Sequence, residues 1–356
     1  LSADSTAGAR SRMKLHSWTT LLRILSSWDI GLAEAYMAGA WSSPDLVALL
    51  RILCLSEGPT GRPQLPELLA PLAKRRHGLN RNSRAGSRRN IAAHYDLGND
   101  FYAPWLDREM IYSSALYKEA TASLESAQRN KLCRVAELLE MSPDQRVLEI
   151  GCGWGGLARY LTQEKSCRVT ALTLSRAQLA YANEADYTGR CDFLLQDYRD
   201  ATGSFDRIVS IEMLEAVGEA YWPGYFRVLR DRLAPNGVAV IQTISIAEER
   251  FESYSRRPDF IQRYIFPGGM LPTISALARE AARAGLQSVH SERFGDSYAR
   301  TLAEWTTRFQ KAWPEIERLG FDIRFKRRWE YYLAYCQAGF ESGAIDVGLY
   351  KFVRGK

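Results

Sequence analysis

The stretch RVLEIGCGWGG (146–156) constrains the fold of this chain more than any other. Val147, Leu148 and Ile150 are apolar and branched, so 146–150 reads as a short buried strand. Glycines follow at once at 151, 153, 155 and 156, and then the helix-prone run LARYL (157–161). Strand, glycine turn and helix in that order open a nucleotide-type α/β fold. The glycines let the backbone turn tightly and approach a ligand where a Cβ would clash. Glu149, one residue from the strand end, projects a carboxylate toward whatever lies over the turn.

Gly151, Gly153 and Gly156 also satisfy the dinucleotide spacing G-x-G-x-x-G, which wants an acid about 20 residues on. The second strand, RVTAL (168–172), runs instead into Thr173, Leu174 and Ser175. The missing acid weakens a dinucleotide reading. It does not separate that reading from methyl-donor binding.

From 146 onward strands and helices alternate. Strands are expected at RVLEI, RVTAL, CDFLL (191–195), FDRIVSI (205–211), GVAVIQTI (237–244), LQSVHSE (286–292) and VGLYKFV (347–353). Helices are expected near 157–164, 176–187, 221–233 and 273–284, with LAPNG (233–237) as a turn. Such alternation predicts an α/β fold, a mostly parallel sheet of seven strands covered on both faces. Ligands in such sheets sit at the carboxyl ends of the strands, here marked by Glu149, Thr173, Asp197, Glu215 and Gln242. An aromatic, Pro- and Gly-containing insert at 251–272 is expected to cover that site.

Ahead of the sheet, residues 1–73 read as a small, mainly helical N-terminal domain, with Ser43-Pro44-Asp45 opening the helix LVALLRIL (46–53). Residues 74–90 are basic, polar and glycine-containing, and read as a linker. The catalytic domain then spans 91–356. Net charge is +6, concentrated in that linker and in Arg324, Lys326, Arg327 and Arg328. Such clusters are either solvated faces or attractors of anionic phosphate. No apolar run approaches the ~18 residues of a membrane span, and no secretory signal is evident. Six scattered cysteines without a C-x-x-C point to free thiols and a cytoplasmic setting, with no metal site.

The motifs HYDLGNDFY, YSSALY, LESAQRNKL, VLEIGCGWGGLA, LTLSRAQ, LLQDYRD, FDRIVSIEMLEAVG, RYIFPGGMLP, TLAEWTTRF, AWPEI and RRWEYYLAYCQAGF follow one another in order. In this the chain resembles the cyclopropane fatty acid synthase family over about 29–356. The resemblance implies a class I (Rossmann-like) methyltransferase fold and S-adenosylmethionine as donor. It implies an unsaturated phospholipid acyl chain as acceptor, reached from the inner face of an anionic membrane surface, and it allows a homodimer. The family holds its donor without an acid after the second strand. By resemblance, Tyr112 and Ser113 meet the methionine end, and Gly151 and Gly153 lie against the donor. Thr173, Leu174 and Gln178 contact ribose and adenine, and Asp197 and Tyr198 the adenine edge. Tyr95, Tyr264, Phe266, Phe294, Tyr331, Tyr332 and Tyr335 are the aromatics expected around the acyl chain, and Cys336 is expected to pack.

Family members hold a bicarbonate as base, using Cys, Ile, Glu, His and Tyr. Ile211, Glu215 and Tyr298 are taken as matches, whereas Ser114 stands for the cysteine and Gln242 for the histidine. Gln242 donates a hydrogen bond but carries no proton, so bicarbonate binding and ring closure are both put in question. Glu215 is then the expected base and a methyl-branched chain the expected product, with true cyclopropane synthesis as the alternative. A nucleic-acid methyltransferase, suggested by the basic clusters, is disfavoured by the apolar site and by the absence of an Asn/Asp-Pro-Pro-aromatic motif.

Overall fold

The structure, a computed structural model, describes residues 11–56, 86, 97–186 and 188–355, without the side chains of 19 and 21–28. Tyr95 and, apart from Gly86, the basic segment 74–90 lie outside the described residues. The described strands are β1 (Lys14–Leu15), β2 (Trp41–Ser42), β3 (Arg146–Ile150), β4 (Arg168–Thr173), β5 (Cys191–Leu195), β6 (Phe205–Ile211), β7 (Leu233–Ile246), β8 (Leu286–Arg293) and β9 (Ile345–Arg354).

Seven of these form one sheet in the order β5-β4-β3-β6-β7-β9-β8. The first five strands of that order run parallel, and β9 is antiparallel to both β7 and β8. Val147, Leu148 and Ile150 of β3 are all buried, as a central strand covered on both faces requires. The chain leaves β3 for β4 and β5 on one side and returns to β6 on the other. The strand order therefore reverses at β3, where an open α/β sheet forms its ligand crevice. LAPNG, expected as a turn, is the start of β7. Leu233 pairs with Phe205, and the register shifts before Arg207 meets Val238.

The helices are α1 (Thr19–Met37), α2 (Leu46–Ser56), α3 (Asn99–Tyr102), α4 (Leu124–Leu138), α5 (Gly156–Lys165), α6 (Arg176–Ala185), α7 (Trp222–Arg232), α8 (Glu248–Arg256), α9 (Phe260–Tyr264), α10 (Ile274–Arg283), α11 (Gly295–Arg318) and α12 (Ile323–Glu341). Side chains fix several starts. Ser123, Ser175, Thr273 and Asp322 each accept a hydrogen bond from the backbone N–H three residues on. The insert 251–272 is more regular than expected, since α8 and α9 occupy much of it. α11 and α12 lie beyond the alternating pattern, and they supply much of the aromatic cover.

α1 and α2 share a buried core with α3, α11 and α12. Leu32, Ala33, Met37, Trp41 and Leu50 belong to one buried cluster with Phe101, Trp105, Trp305, Trp329 and Tyr331. None of the described helices is long and apolar enough to cross a membrane.

Candidate active site

The glycine turn after β3 has the backbone its sequence calls for. Gly151 and Gly153 have φ of +81° and +53°, a region that disfavours a Cβ. A Cβ on Gly151 would stand 2.9 Å from Met213, while the space beside Gly153 is open. Gly151 and Cys152 both donate backbone N–H bonds to the Leu172 carbonyl, at 3.0 and 2.9 Å, so the turn is stapled to the end of β4. From there a cavity of ≈ 560 Å³ runs past the ends of β6 and β7 and under α12.

The wall beside the glycine turn holds Tyr112, Ser113, Glu149, Gly151, Gly153, Thr173, Leu174, Gln178 and Tyr198, the residues expected at the donor. Thr173 donates to Gln178 Oε1 at 2.8 Å and accepts from the Ser175 N–H at 3.1 Å. Both therefore brace the β4–α6 turn as well as line the cavity. Asp197 does not reach the wall. Its carboxylate is bound by the Arg199 backbone N–H and guanidinium, and the flanking Gln196 and Tyr198 face the space. Glu149 is buried, its Oε2 has no hydrogen-bond partner, and burial pushes its pKa up to about 8. An unmet acceptor beside open backbone suits a ligand with cationic or N–H groups, as S-adenosylmethionine has.

Lys131 was missed by the sequence reading. It is fully buried, lines the same wall and donates to Ser113 Oγ at 2.7 Å. Burial lowers its pKa to about 8, against the pull of Glu212, Asp107 and Glu149. Lys131 lies in the quoted motif LESAQRNKL, on a helix rich in polar and charged residues, where nothing local marks one lysine as buried.

The second part of the cavity holds a pair of carboxylates. Glu212 follows β6, whose last residue Ile211 pairs with Gln242 of β7. It has φ +48°, unusual for a residue with a side chain, and its backbone N–H donates to the Gln242 carbonyl at 2.8 Å. This geometry turns its carboxylate into a ring of donors. Oε1 accepts from the Ser114 backbone N–H at 2.8 Å and Gln242 Nε2 at 2.7 Å, and Oε2 accepts from the Tyr298 hydroxyl at 2.6 Å. The Ser114 hydroxyl is turned to the Ala115 carbonyl, so Ser114 contributes its backbone alone. Desolvation raises the Glu212 pKa, opposed by these donors and Lys131.

Glu215, three residues on, accepts from the Thr243 hydroxyl at 3.0 Å and the Ile244 N–H at 2.6 Å through Oε1. Oε2 is shielded and without a partner. Desolvation and then the charge of Glu212 push its pKa up to about 8. The isoleucine that meets a carboxylate of the pair is thus Ile244, while Ile211 only lines the cavity. Glu212 lies within the quoted motif FDRIVSIEMLEAVG and Ile244 ends the expected strand GVAVIQTI, and neither is singled out by the sequence. A second acid three residues before Glu215 was the available signal.

Among the expected acyl-site aromatics, Phe266, Tyr331, Tyr332 and Tyr335 line the cavity, as does Cys336. Tyr332 and Tyr112 share a hydroxyl hydrogen bond of 2.9 Å. Tyr264 and Phe294 lie off the cavity wall. The Tyr264 hydroxyl bonds the Glu34 carboxylate, and Phe294 precedes α11 between two core clusters. Tyr95 is outside the described residues.

The chain matches the family described as mycolic acid cyclopropane synthetase over residues 82–350. It is 38% identical over 351 residues to tuberculostearic acid methyltransferase UfaA1 of Mycobacterium tuberculosis, covering 91% of this chain and 79% of that protein. It is 37% identical over 346 residues to cyclopropane-fatty-acyl-phospholipid synthase of Escherichia coli K12, covering 94% and 85%. The cyclopropane synthase MmaA2 from M. tuberculosis has a similar structure, with a TM-score of 0.71 at 30% identity over 75% of this chain and 98% of that one. Mycolic acid cyclopropane synthase CmaA1, solved with S-adenosylhomocysteine and CTAB, gives a TM-score of 0.71 at 28% identity over 74% and 97%.

Proposed function

The chain belongs to the mycolic acid cyclopropane synthetase family, and we propose that it methylates the double bond of an unsaturated phospholipid acyl chain to leave a methyl branch. It is an S-adenosylmethionine-dependent methyltransferase of the cyclopropane fatty acid synthase type. The finer reading of product and base is carried by one observation, the Glu212 carboxylate held among Ser114, Gln242 and Tyr298.

S-adenosylmethionine supplies an electrophilic methyl group, and methylation of an alkene carbon leaves a cation on the acyl chain. The residues of this chain have three tasks around that chemistry. Glu149, Lys131, Ser113 and the glycine turn hold the donor. The aromatic wall of Tyr332, Phe266 and Tyr335 keeps water out and offers π-faces to positive charge. A base then removes a proton, and the proton chosen decides the product.

Sequence reasoning gave that proton to Glu215. The donor geometry favours Glu212. A carboxylate accepting from an N–H, an amide and a phenol is stabilised as the anion. Glu215 has one oxygen unmet and Glu212's charge beside it, which favours its protonated form, so the pair shares one proton. Glu212 is therefore the ionised base and Glu215 its neutral neighbour. A tethered carboxylate in the donor ring leaves no place there for bicarbonate. Loss of a proton from a chain carbon, after a hydride shift, keeps an alkene and a methyl branch. The similarity to a tuberculostearic acid methyltransferase supports this product. The comparable similarity to a cyclopropane synthase keeps ring closure as the second reading. The first test is turnover: purified protein, S-adenosylmethionine and vesicles of monounsaturated phospholipid should yield S-adenosylhomocysteine and a heavier acyl chain. Saturated vesicles should yield neither.

A further inference from the structure

The cavity does not end within the part of the chain that the family match covers. Leu32 of α1 and Leu49, Leu50 and Leu53 of α2 also line it, together with Ile246 at the end of β7. These leucines precede residue 82, where the family match begins. Four leucines turned toward a cavity that also holds the carboxylate pair form an apolar stretch of wall suited to an alkyl chain, with Asp29 and Arg250 as polar residues on the same lining.

α1 and α2 are fixed in this position by contacts with the elements that build the site. Arg51 pairs with Glu341 of α12 at 3.2 Å, Cys54 Sγ meets Ser342 Oγ at 3.2 Å, and Arg250 of α8 donates to the Cys54 carbonyl at 2.9 Å. On α1, the Tyr36 ring packs 5.6 Å from that of Tyr331, a cavity residue. A merely adjacent docking module would not need its own leucines inside the cavity.

Resting on the acyl-methylation reading above, we infer that α1 and α2 form one wall of the acyl channel, and that Leu49, Leu50 and Leu53 determine which chain lengths are accepted. The N-terminal segment is then a specificity element as well as any lipid-docking surface it provides. Filling the channel at α2 should shorten the accepted alkyl segment on one side of the double bond, and trimming it should lengthen it.

The test uses the full chain, S-adenosylmethionine and mixed vesicles whose phospholipids carry monounsaturated acyl chains of graded length. Mass spectrometry gives the relative kcat/KM for each. Leu53→Trp should cut the ratio of longest to shortest chain by about 10-fold or more, the scale of a methylene misfit in an apolar pocket. Leu53→Ala, which keeps the helix and adds space, should move the ratio the other way. Affinity for S-adenosylhomocysteine should stay at the wild-type value in both, which also reports that they fold. Unchanged length ratios in both variants, or an equal fall for every chain length, would overturn the inference while leaving acyl methylation intact. A wild-type protein that methylates no acyl chain at all would instead sink the functional reading, and this inference with it.

Discussion

The Tyr298 hydroxyl donates to Glu212 Oε2 across 2.6 Å, joining the start of α11 to the residue that follows β6. Tyr298 is buried, and its phenol is held in the protonated state by desolvation and by the charge of Glu212. The contact therefore has a fixed direction, phenol to carboxylate, and it orients the carboxylate from the side opposite Ser114 and Gln242. Backbone conformation, strand pairing and a helix start all converge on one side chain.

Glu212→Gln keeps the size and the unusual φ but removes the negative charge. Methyl transfer with proton loss should fall by about 10²- to 10⁴-fold, the range for a general base. Affinity for S-adenosylhomocysteine should change little. Steady-state kinetics with calorimetric binding of S-adenosylhomocysteine would check this, and wild-type turnover would rule out Glu212 as base.

Glu215→Gln should behave differently. Glutamine imitates the protonated acid and can still accept from the Ile244 N–H at Oε1. Activity near neutral pH should stay within about 10-fold of wild type, ~1.4 kcal/mol in barrier. A loss as deep as that of Glu212→Gln would give the base role back to Glu215.

Glu149→Gln tests the donor wall. Glu149 lines the cavity beside the glycine turn, and its buried Oε2 lacks the partner that a cationic or N–H-bearing group would supply. Donor affinity should drop by about 10- to 100-fold, equivalent to ~1.5–3 kcal/mol for a charged hydrogen bond. Wild-type donor affinity in this variant would remove Glu149 from the donor site.

The same two acids make a pH prediction for the ligand-free protein. Burial raises Glu149 and Glu215 to about 8 in the folded state, from an ordinary value of 4.5. Between those values the folded chain binds more protons than the unfolded one. Their contribution to stability is therefore full below about pH 4.5 and is lost as pH rises through about 8. Lys131, lowered to about 8 from 10.5, works in the opposite sense above that pH. Urea unfolding at intervals from pH 5 to 8 should show a steeper decline for wild type than for Glu149→Gln or Glu215→Gln. Parallel curves would contradict the assigned protonation states.

Much of the site could be read from sequence because it depends on local rules. The branched strand 146–150, the glycines after it and the Ser175 cap opening α6 each follow from backbone geometry and short-range bonding. What could not be read depends on distant partners. Glu212 matters because its positive φ and the β6–β7 register carry its carboxylate to Ser114, Gln242 and Tyr298, residues from three other parts of the chain. The helical pattern of α1 and α2 was visible, but nothing local said that they would pack on α12 and open their leucines to the cavity. Tyr264 and Phe294 show the converse. Their aromatic character suggested the acyl site, and tertiary packing placed them off its wall.

The central claim, a methyl branch made with Glu212 as base, is tested most directly by counting deuterium. The chain would be expressed in a host fed trideuteromethyl methionine, and the lipid acyl chains analysed by mass spectrometry. The account predicts adducts that keep all three deuteriums and retain an alkene. Adducts with two deuteriums in a saturated ring would contradict it and establish cyclopropane synthesis, and two deuteriums on an exocyclic double bond would contradict it in favour of a methylene branch.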